Sequence, residues 1–428
     1  MAPEKVKRET ASPAMTDTGM RVCIHRGAKE IGGSCVEVEA AGRRIVLDVG
    51  LPLGAEDDET LLPAVRGFRE PDKTLLAVAI SHPHQDHHGL AHHLRPDLPI
   101  LIGKAAHRIL LAAGPFTSSG VSFSRTAHLE DRKPVTLGPF QVTPYLVDHS
   151  AYDAYAFLVS AGGKRFFYTG DLRGHGRKAS LFDKLLRDPP RNVDVLLMEG
   201  TTIGRKDNGE GFRTERELEA AFVDQIKSSQ GLCLVWTSSQ NIDRLVTLYR
   251  ASKRARRRLI VDLYTAEILR ATGNANIPQG NWEGVRVYVP ESQRRQVKRQ
   301  ALFDVIDLYK KQRIFPEDLG RAAKESVMLF RPSMSADLER AGCLNAACLI
   351  YSLWEGYLDQ PFRDWLEGHK IAMTHIHTSG HASVSDLKRL AKAISPKKLI
   401  PIHSAEPSRY AELLEKVELK RDGEWWEV

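Results

Sequence analysis

The chain has 428 residues, 42% hydrophobic and 27% charged, with Lys+Arg 61 against Asp+Glu 54 for a formal net charge of +7; this excludes a disordered or fibrous chain, predicts two or three domains, and allows a polyanionic partner. No run of 18 apolar residues occurs and no apolar stretch follows the N-terminal charges, so neither a transmembrane helix nor a secretory signal is expected. The five cysteines (Cys23, Cys35, Cys233, Cys343, Cys348) are scattered without a CxxC pair, which argues against a disulfide framework or zinc ribbon and predicts a reduced, cytoplasmic setting.

Residues 1–20 are polar and aperiodic and are expected to form a flexible tail. Val36 and Val38 alternate with Glu37 and Glu39, Ala41-Gly42 turns, and Ile45-Val46-Leu47 runs into Asp48, which predicts a hairpin. Leu75 to Ile80 stops at a histidine cluster. Tyr145-Leu146-Val147 stops at Asp148-His149, Phe166-Phe167-Tyr168 at Gly170-Asp171, and Val193 to Met198 at Glu199. Apolar strands that each end in His, Asp or Glu predict one sheet rim carrying polar groups. Beyond Glu199 the texture changes. Thr214-Glu215-Arg216-Glu217 is a capping box. A strand at 231–236, a helix at 241–252 and a strand at 259–263 predict a parallel α/β unit. Near Ile371 the first texture returns with His375, His377 and His381, then a helix through Leu387, Leu390, Ala391 and Ile394, then Leu399-Ile400-Pro401-Ile402 ending at His403. The expected organisation is a first domain at 21–205, an α/β insertion at 206–365 and the first domain's return at 366–428.

Ser81-His82-Pro83-His84-Gln85-Asp86-His87-His88-Gly89 is the strongest local signal. His82 and His84, two apart on a loop leaving a strand, can converge on one ion, while Asp86 and His87 can turn toward a second. Mixed imidazole and carboxylate ligation suits catalytic zinc. This HxHxDH pattern resembles the metallo-β-lactamase superfamily. Asp48, His149 and Asp171 match its first, third and fourth motifs, in order. The resemblance implies an α/β fold, the αββα sandwich, with His82, His84 and His149 on one metal, Asp86, His87 and His403 on the other, and Asp171 bridging. It assigns Asp48 to orienting the ligand loop. The implied cofactors are two zinc ions, with manganese as the alternative. His88 is not required as a ligand.

Glu199, His381 and His403 match motifs A, B and C of the β-CASP branch, whose inserted α/β domain belongs between motifs A and B. The run His377-Thr378-Ser379-Gly380-His381-Ala382-Ser383 is most similar to ribonuclease J-like nucleases. Histidine at motif C goes with RNA-processing members, whereas DNA cross-link repair nucleases carry valine there. The implied function is hydrolysis of RNA phosphodiester bonds, as 5′-exonuclease, endonuclease or both. A DNA exonuclease and a catalytically inactive RNA-binding protein are the alternatives. Catalysis falls to Glu199, His381 and Asp86, with His381 as general acid set by Glu199. Substrate contacts fall to His377, Thr378, Ser379, Gly380, His381 and Ser383, whose small side chains and backbone N–H groups at a helix start suit a phosphate. The implied partner is single-stranded RNA with a 5′-monophosphate, away from membranes, and a homodimer is left open. The chain ends at Val428, so the C-terminal domain of longer relatives is not expected, and assembly is not carried over. Lys253–Arg258 and Arg294-Arg295 with Lys298-Arg299 read as solvated or dipole-facing charge. Ser238 and Ser239 read as caps. His92, His93, His107, His128 and His175 carry no motif role, and Trp425 and Trp426 read as packing residues.

Overall fold

The computed structural model describes residues 19–117, 121–205 and 211–428. The expected tail lies outside these except for its last two residues, and Met20 already opens a strand. Two sheets face each other across one apolar core. The first has the order Trp425–Glu427, Met20–Arg26, Cys35–Ala40, Arg43–Leu47, Leu75–Ala79, Ile100–Gly103, Thr126–Leu129; the second Lys398–Ile402, Val195–Glu199, Lys164–Tyr168, Ala154–Ala161, Phe140–Val147, Val135–Leu137. Inward residues such as Val36, Val38, Ile45 and Leu47 meet Phe157, Val159, Phe166 and Leu197. Helices cover both outer faces, Lys104–Ala113 on the first and Ala179–Arg187 with Val384–Ile394 on the second. This is the αββα sandwich.

The predicted hairpin pairs Ala40 with Arg43. Its turn needs two left-handed residues, and Ala41 and Gly42 adopt φ of 48° and 67°, the geometry that matches strand twist. Glu37 departs from the alternation: it is buried, held by the Arg44 guanidinium and by His25 Nε2 at 2.7 Å.

The inserted unit is a seven-stranded sheet, wholly parallel, in the order Arg313–Ile314, Val285–Tyr288, Arg258–Asp262, Ser326–Leu329, Cys233–Trp236, Cys348–Tyr351, Ala372–His375. Its last strand lies beyond residue 366, where the sequence reading begins the return; by hydrogen bonding, residues 372–375 side with the insert. The start of the insert, 206–210, is outside the described residues. The capping box closes as expected, Thr214 and Glu217 each receiving the other's backbone N–H. Ser238 and Ser239 do not cap the next helix; Asn241 does, and Ser239 instead contacts Thr265 at 2.7 Å. Ile109 and Ala113 of the sandwich pack into the insert's core with Leu263 and Ala266. Among the described residues no helix is long and apolar enough to cross a membrane.

Candidate metal centre

Parallel strands put their C-terminal ends on one rim. Asp48 follows Leu47, His82 follows the Leu75–Ala79 strand, Asp171 follows Tyr168, Glu199 ends its strand, and His403 follows Ile402. His149 follows Phe140–Val147, which is antiparallel to Ala154–Ala161 and so runs in the same direction as Lys164–Tyr168. His82, His84 and His149 form one group whose ligand atoms lie within 4.8 Å of one another, and Asp86, His87, Asp171 and His403 form a second. All seven expected ligands are therefore brought together.

The first three rings stand edge to face, with centroids 4.6–4.9 Å apart. Burial holds all three imidazoles below their usual range, His84 at about 4, and a neutral imidazole is the form that binds metal. The second group is different. Asp171 lies 3.2 Å from His87 Nε2 and 3.8 Å from His403 Nε2, and Asp86 lies 3.6 Å from His403. Burial alone would lower His87, but the Asp171, Asp48 and Asp86 carboxylates together raise it. Buried carboxylates at this density call for positive charge. Moreover, His82 Nε2, His149 Nδ1, Asp171 Oδ1 and His403 Nε2 are buried and find no hydrogen-bond partner among the described residues. Unpartnered buried polar atoms are rare and demand an explanation; a metal cation fits both the donor set and the charge, and the site is a metal-binding one.

Supporting contacts fix these ligands. Asp48, itself at φ 60°, accepts from Ser81 N (2.6 Å), the Ser81 hydroxyl (2.8 Å), the Tyr168 hydroxyl (2.7 Å) and His87 Nδ1 (2.8 Å). That leaves His87 Nε2 aimed at Asp171. His403 Nδ1 is 3.0 Å from the Ser34 hydroxyl and 3.3 Å from Gly32 N. Glu199 is fully buried and accepts from Leu172 N, Thr201 N and Ala382 N. His381 Nδ1 lies 3.3 Å from Glu199 and 3.5 Å from Asp171.

The loop from His377 to Ser383 is more occupied than its small residues imply. Ser379 Oγ accepts from His381 N (3.0 Å), Glu199 accepts from Ala382 N (3.4 Å), and Ser383 caps the following helix through Asp386 N (3.1 Å). These N–H groups are therefore not free for an anion. Thr378 donates to Arg213 O at 2.6 Å. Gly380 abuts Ser150, whose Oγ would lie 2.7 Å from an added Cβ.

Sequence reasoning missed what holds this loop. The Ser379 carbonyl accepts from Arg173 Nη1 (3.0 Å) and from His175 Nε2 (2.9 Å), so His175, left without a role, anchors the loop. Arg173 is fully buried and also donates to Asp243 of the insert (2.6 Å). Next to it Glu215 accepts from Arg244 Nη2 (3.0 Å) and the Thr247 hydroxyl (2.6 Å). The only local signal was two basic residues just past Asp171; Asp243, Glu215 and Arg244 are distant in sequence and look like helix-surface charge.

Burial alone would raise the Glu215 carboxyl, but Arg244, Arg173 and Thr247 outweigh it and hold it at about 2. A folded value below the unfolded one contributes stability that is present above about 4.5 and lost as pH falls through the folded value. Glu215→Gln is therefore expected to unfold at lower denaturant than the parent at pH 7, by on the order of 3 kcal/mol. The difference should narrow by pH 3.5. A gap independent of pH in parallel urea titrations would contradict the ionised network.

Residues 43–227 match the description "Beta-lactamase superfamily domain", and residues 369–427 match "Zn-dependent metallo-hydrolase RNA specificity domain". The chain is 25% identical over 415 residues to ribonuclease J of Mycobacterium tuberculosis, covering 91% of this chain and 69% of that protein. It is 22% identical over 400 residues to ribonuclease J of Helicobacter pylori, covering 88% of this chain but only 55% of the relative. A crystal structure of a protein of unknown function from Enterococcus faecalis V583 shares the fold, with a TM-score of 0.77 over 96% of this chain and all of that one, at 22% identity. With its clustered HxHxDH residues and an α/β unit inserted ahead of the last motifs, the chain carries a β-lactamase superfamily domain at 43–227 and an RNA specificity domain at 369–427, and is similar along most of its length to ribonuclease J.

Proposed function

We propose that this protein is a metal-dependent nuclease that hydrolyses RNA phosphodiester bonds. The observation carrying this reading is that His381 and His403, both inside the segment matching the RNA specificity domain, stand against Asp171 and Asp86 of the HxHxDH half. In this reading His82, His84 and His149 hold one zinc ion and Asp86, His87 and His403 a second, with Asp171 between them and manganese as an alternative. When bound, the ions would lower the pKa of water toward neutrality and offset charge on the non-bridging phosphate oxygens.

The chain's own residues do the rest. Burial alone would lower the His381 imidazole, but Glu199 and Asp171 together raise it, so it carries a proton to give to the leaving oxygen. Glu199 orients that ring and, through Leu172 N and Ala382 N, keeps the flanking segments in register. Asp86 completes the catalytic set beside His403. The cleft between sandwich and insert would admit a single strand. We place the metal-binding unit at 21–205 and from about 376 onward, with the insert between. A 5′-monophosphate preference and a cytoplasmic setting belong to the same proposal.

The test is incubation of purified protein with end-labelled RNA bearing 5′-monophosphate or 5′-hydroxyl, beside a DNA strand of the same sequence. Metal-dependent cleavage of RNA well above DNA is expected, and faster on the 5′-monophosphate end. Equal cleavage of DNA would make it a general nuclease, and no cleavage with full metal occupancy would make it a binding protein. Gly380→Val, which drives a side chain into Ser150, should displace the loop at a cost of about 1–3 kcal/mol in fold stability and so weaken RNA binding. Metal content should not change. Unchanged affinity by fluorescence anisotropy would remove this loop from the substrate path.

A further inference from the structure

Two large aromatic side chains of the insert stand exposed, outside its apolar cores. Trp354 and Tyr357 are 46% and 53% exposed, on the loop that follows the strand Cys348–Tyr351 of the insert. Their rings meet edge to face at 5.3 Å and 86°. The Arg205 guanidinium lies over the Trp354 ring, 5.1 Å from its centroid.

This arrangement is built. The Tyr351 hydroxyl donates to the Trp354 carbonyl at 2.8 Å, and His375 Nε2 donates to the Leu353 carbonyl at 2.9 Å. His375 Nδ1 is 3.1 Å from Glu355, which accounts for the loop's acidic neighbour. A Cβ on Gly356 would fall 2.2 Å from the indole, so the ring rests on backbone that only glycine leaves open.

Its position is at the mouth of the metal centre. Arg205 lies on the segment that leaves Glu199, and that segment is tied to the site by Thr201, which donates to the His403 carbonyl (3.3 Å), and Thr202, which donates to the Ala382 carbonyl (2.6 Å). One half of the platform comes from the sandwich and the other from the insert.

We propose that Trp354, Tyr357 and Arg205 form a nucleobase subsite, in which a base stacks on Tyr357 braced by Trp354 and the neighbouring phosphate is held by Arg205. It rests on the RNA reading above and adds where, and by what chemistry, a nucleotide beside the scissile phosphate is gripped. Every base has a π-face, so such a platform is sequence-tolerant. A planar cation beside it suits the phosphate that each stacked base carries.

The experiment scans a single abasic position along an RNA oligonucleotide. Binding is read by anisotropy on phosphorothioate-linked strands that resist hydrolysis, and cleavage is read separately on ordinary strands. The parent protein should lose roughly 5- to 150-fold in affinity at one abasic position. Tyr357→Ala should bind the intact strand as weakly as the parent binds that abasic strand, and should be indifferent to the missing base. Tyr357→Phe, which keeps the ring, should behave like the parent and controls for folding. Arg205→Ala should weaken intact and abasic strands by the same factor. A parent insensitive to abasic sites at every position, or a Tyr357→Ala variant that keeps the parent's sensitivity, overturns the subsite. Base-dependent binding without any cleavage would instead sink the nuclease reading and leave the subsite standing.

Discussion

His381→Ala is expected to slow RNA cleavage by about 10²- to 10⁴-fold while metal content stays that of the parent. The ring sits between Glu199 and Asp171, and its side chain is 21% exposed where His82, His87 and His403 are at most 1% exposed. It is therefore more open to solvent than those three rings, as a donor to a leaving oxygen has to be. In the acid role the ring's raised pKa favours its protonated form, and alanine would remove that donor while leaving all seven candidate ligands in place. An alternative is open in the geometry, because His149, Asp171 and His381 could also enclose one ion. Elemental analysis of the purified variant decides between them: loss of an ion would make His381 a ligand. A substrate with a leaving group that needs no proton, such as a nitrophenyl phosphodiester, should restore much of the lost rate if the acid role is right.

His403→Ala should reduce bound metal and lower activity by at least about 100-fold. Loss of a residue that merely supports a ligand already costs about 10–100-fold, and this would remove a ligand itself. His403 comes from the far end of the chain. It is held at φ 53° by its backbone N–H to the Gly27 carbonyl (2.8 Å) and by Ser34 beside Nδ1. The vacated space leaves Asp86 and Asp171 facing each other with one fewer counter-ligand. The insert, whose sheet and cores lie elsewhere, should remain folded, so circular dichroism should be near that of the parent. Full occupancy of both ions in this variant would contradict its place in the second group.

The seven candidate ligands were legible in the chain because His82, His149, Asp171 and His403 lie within three residues of the end of an apolar strand, and the HxHxDH spacing adds His84, Asp86 and His87. A strand buried on both faces has to be continuously apolar, so an abrupt His or Asp at its end is conspicuous in one dimension. The hairpin turn at Ala41-Gly42 and the Thr214 capping box were legible for the same reason: they are decided within a few residues by backbone geometry and by orphan N–H groups. What held the loop around Ser379 was not. Arg173, Asp243, Glu215 and Arg244 each look like surface charge until the insert folds onto the sandwich and removes their water. Only then does a buried arginine require carboxylates, and a buried carbonyl require the two donors it finds in Arg173 and His175. The same holds for the limit of the insert. Ala372–His375 carries no mark of which sheet it joins, and only the open edge beside Cys348–Tyr351 decides it. The aromatic platform is of this kind too. Nothing in the sequence distinguishes Trp354 and Tyr357 from core residues, and it takes the tertiary fold to leave them uncovered beside Arg205, because the segments that follow Cys348–Tyr351 of the insert and Val195–Glu199 of the sandwich meet there.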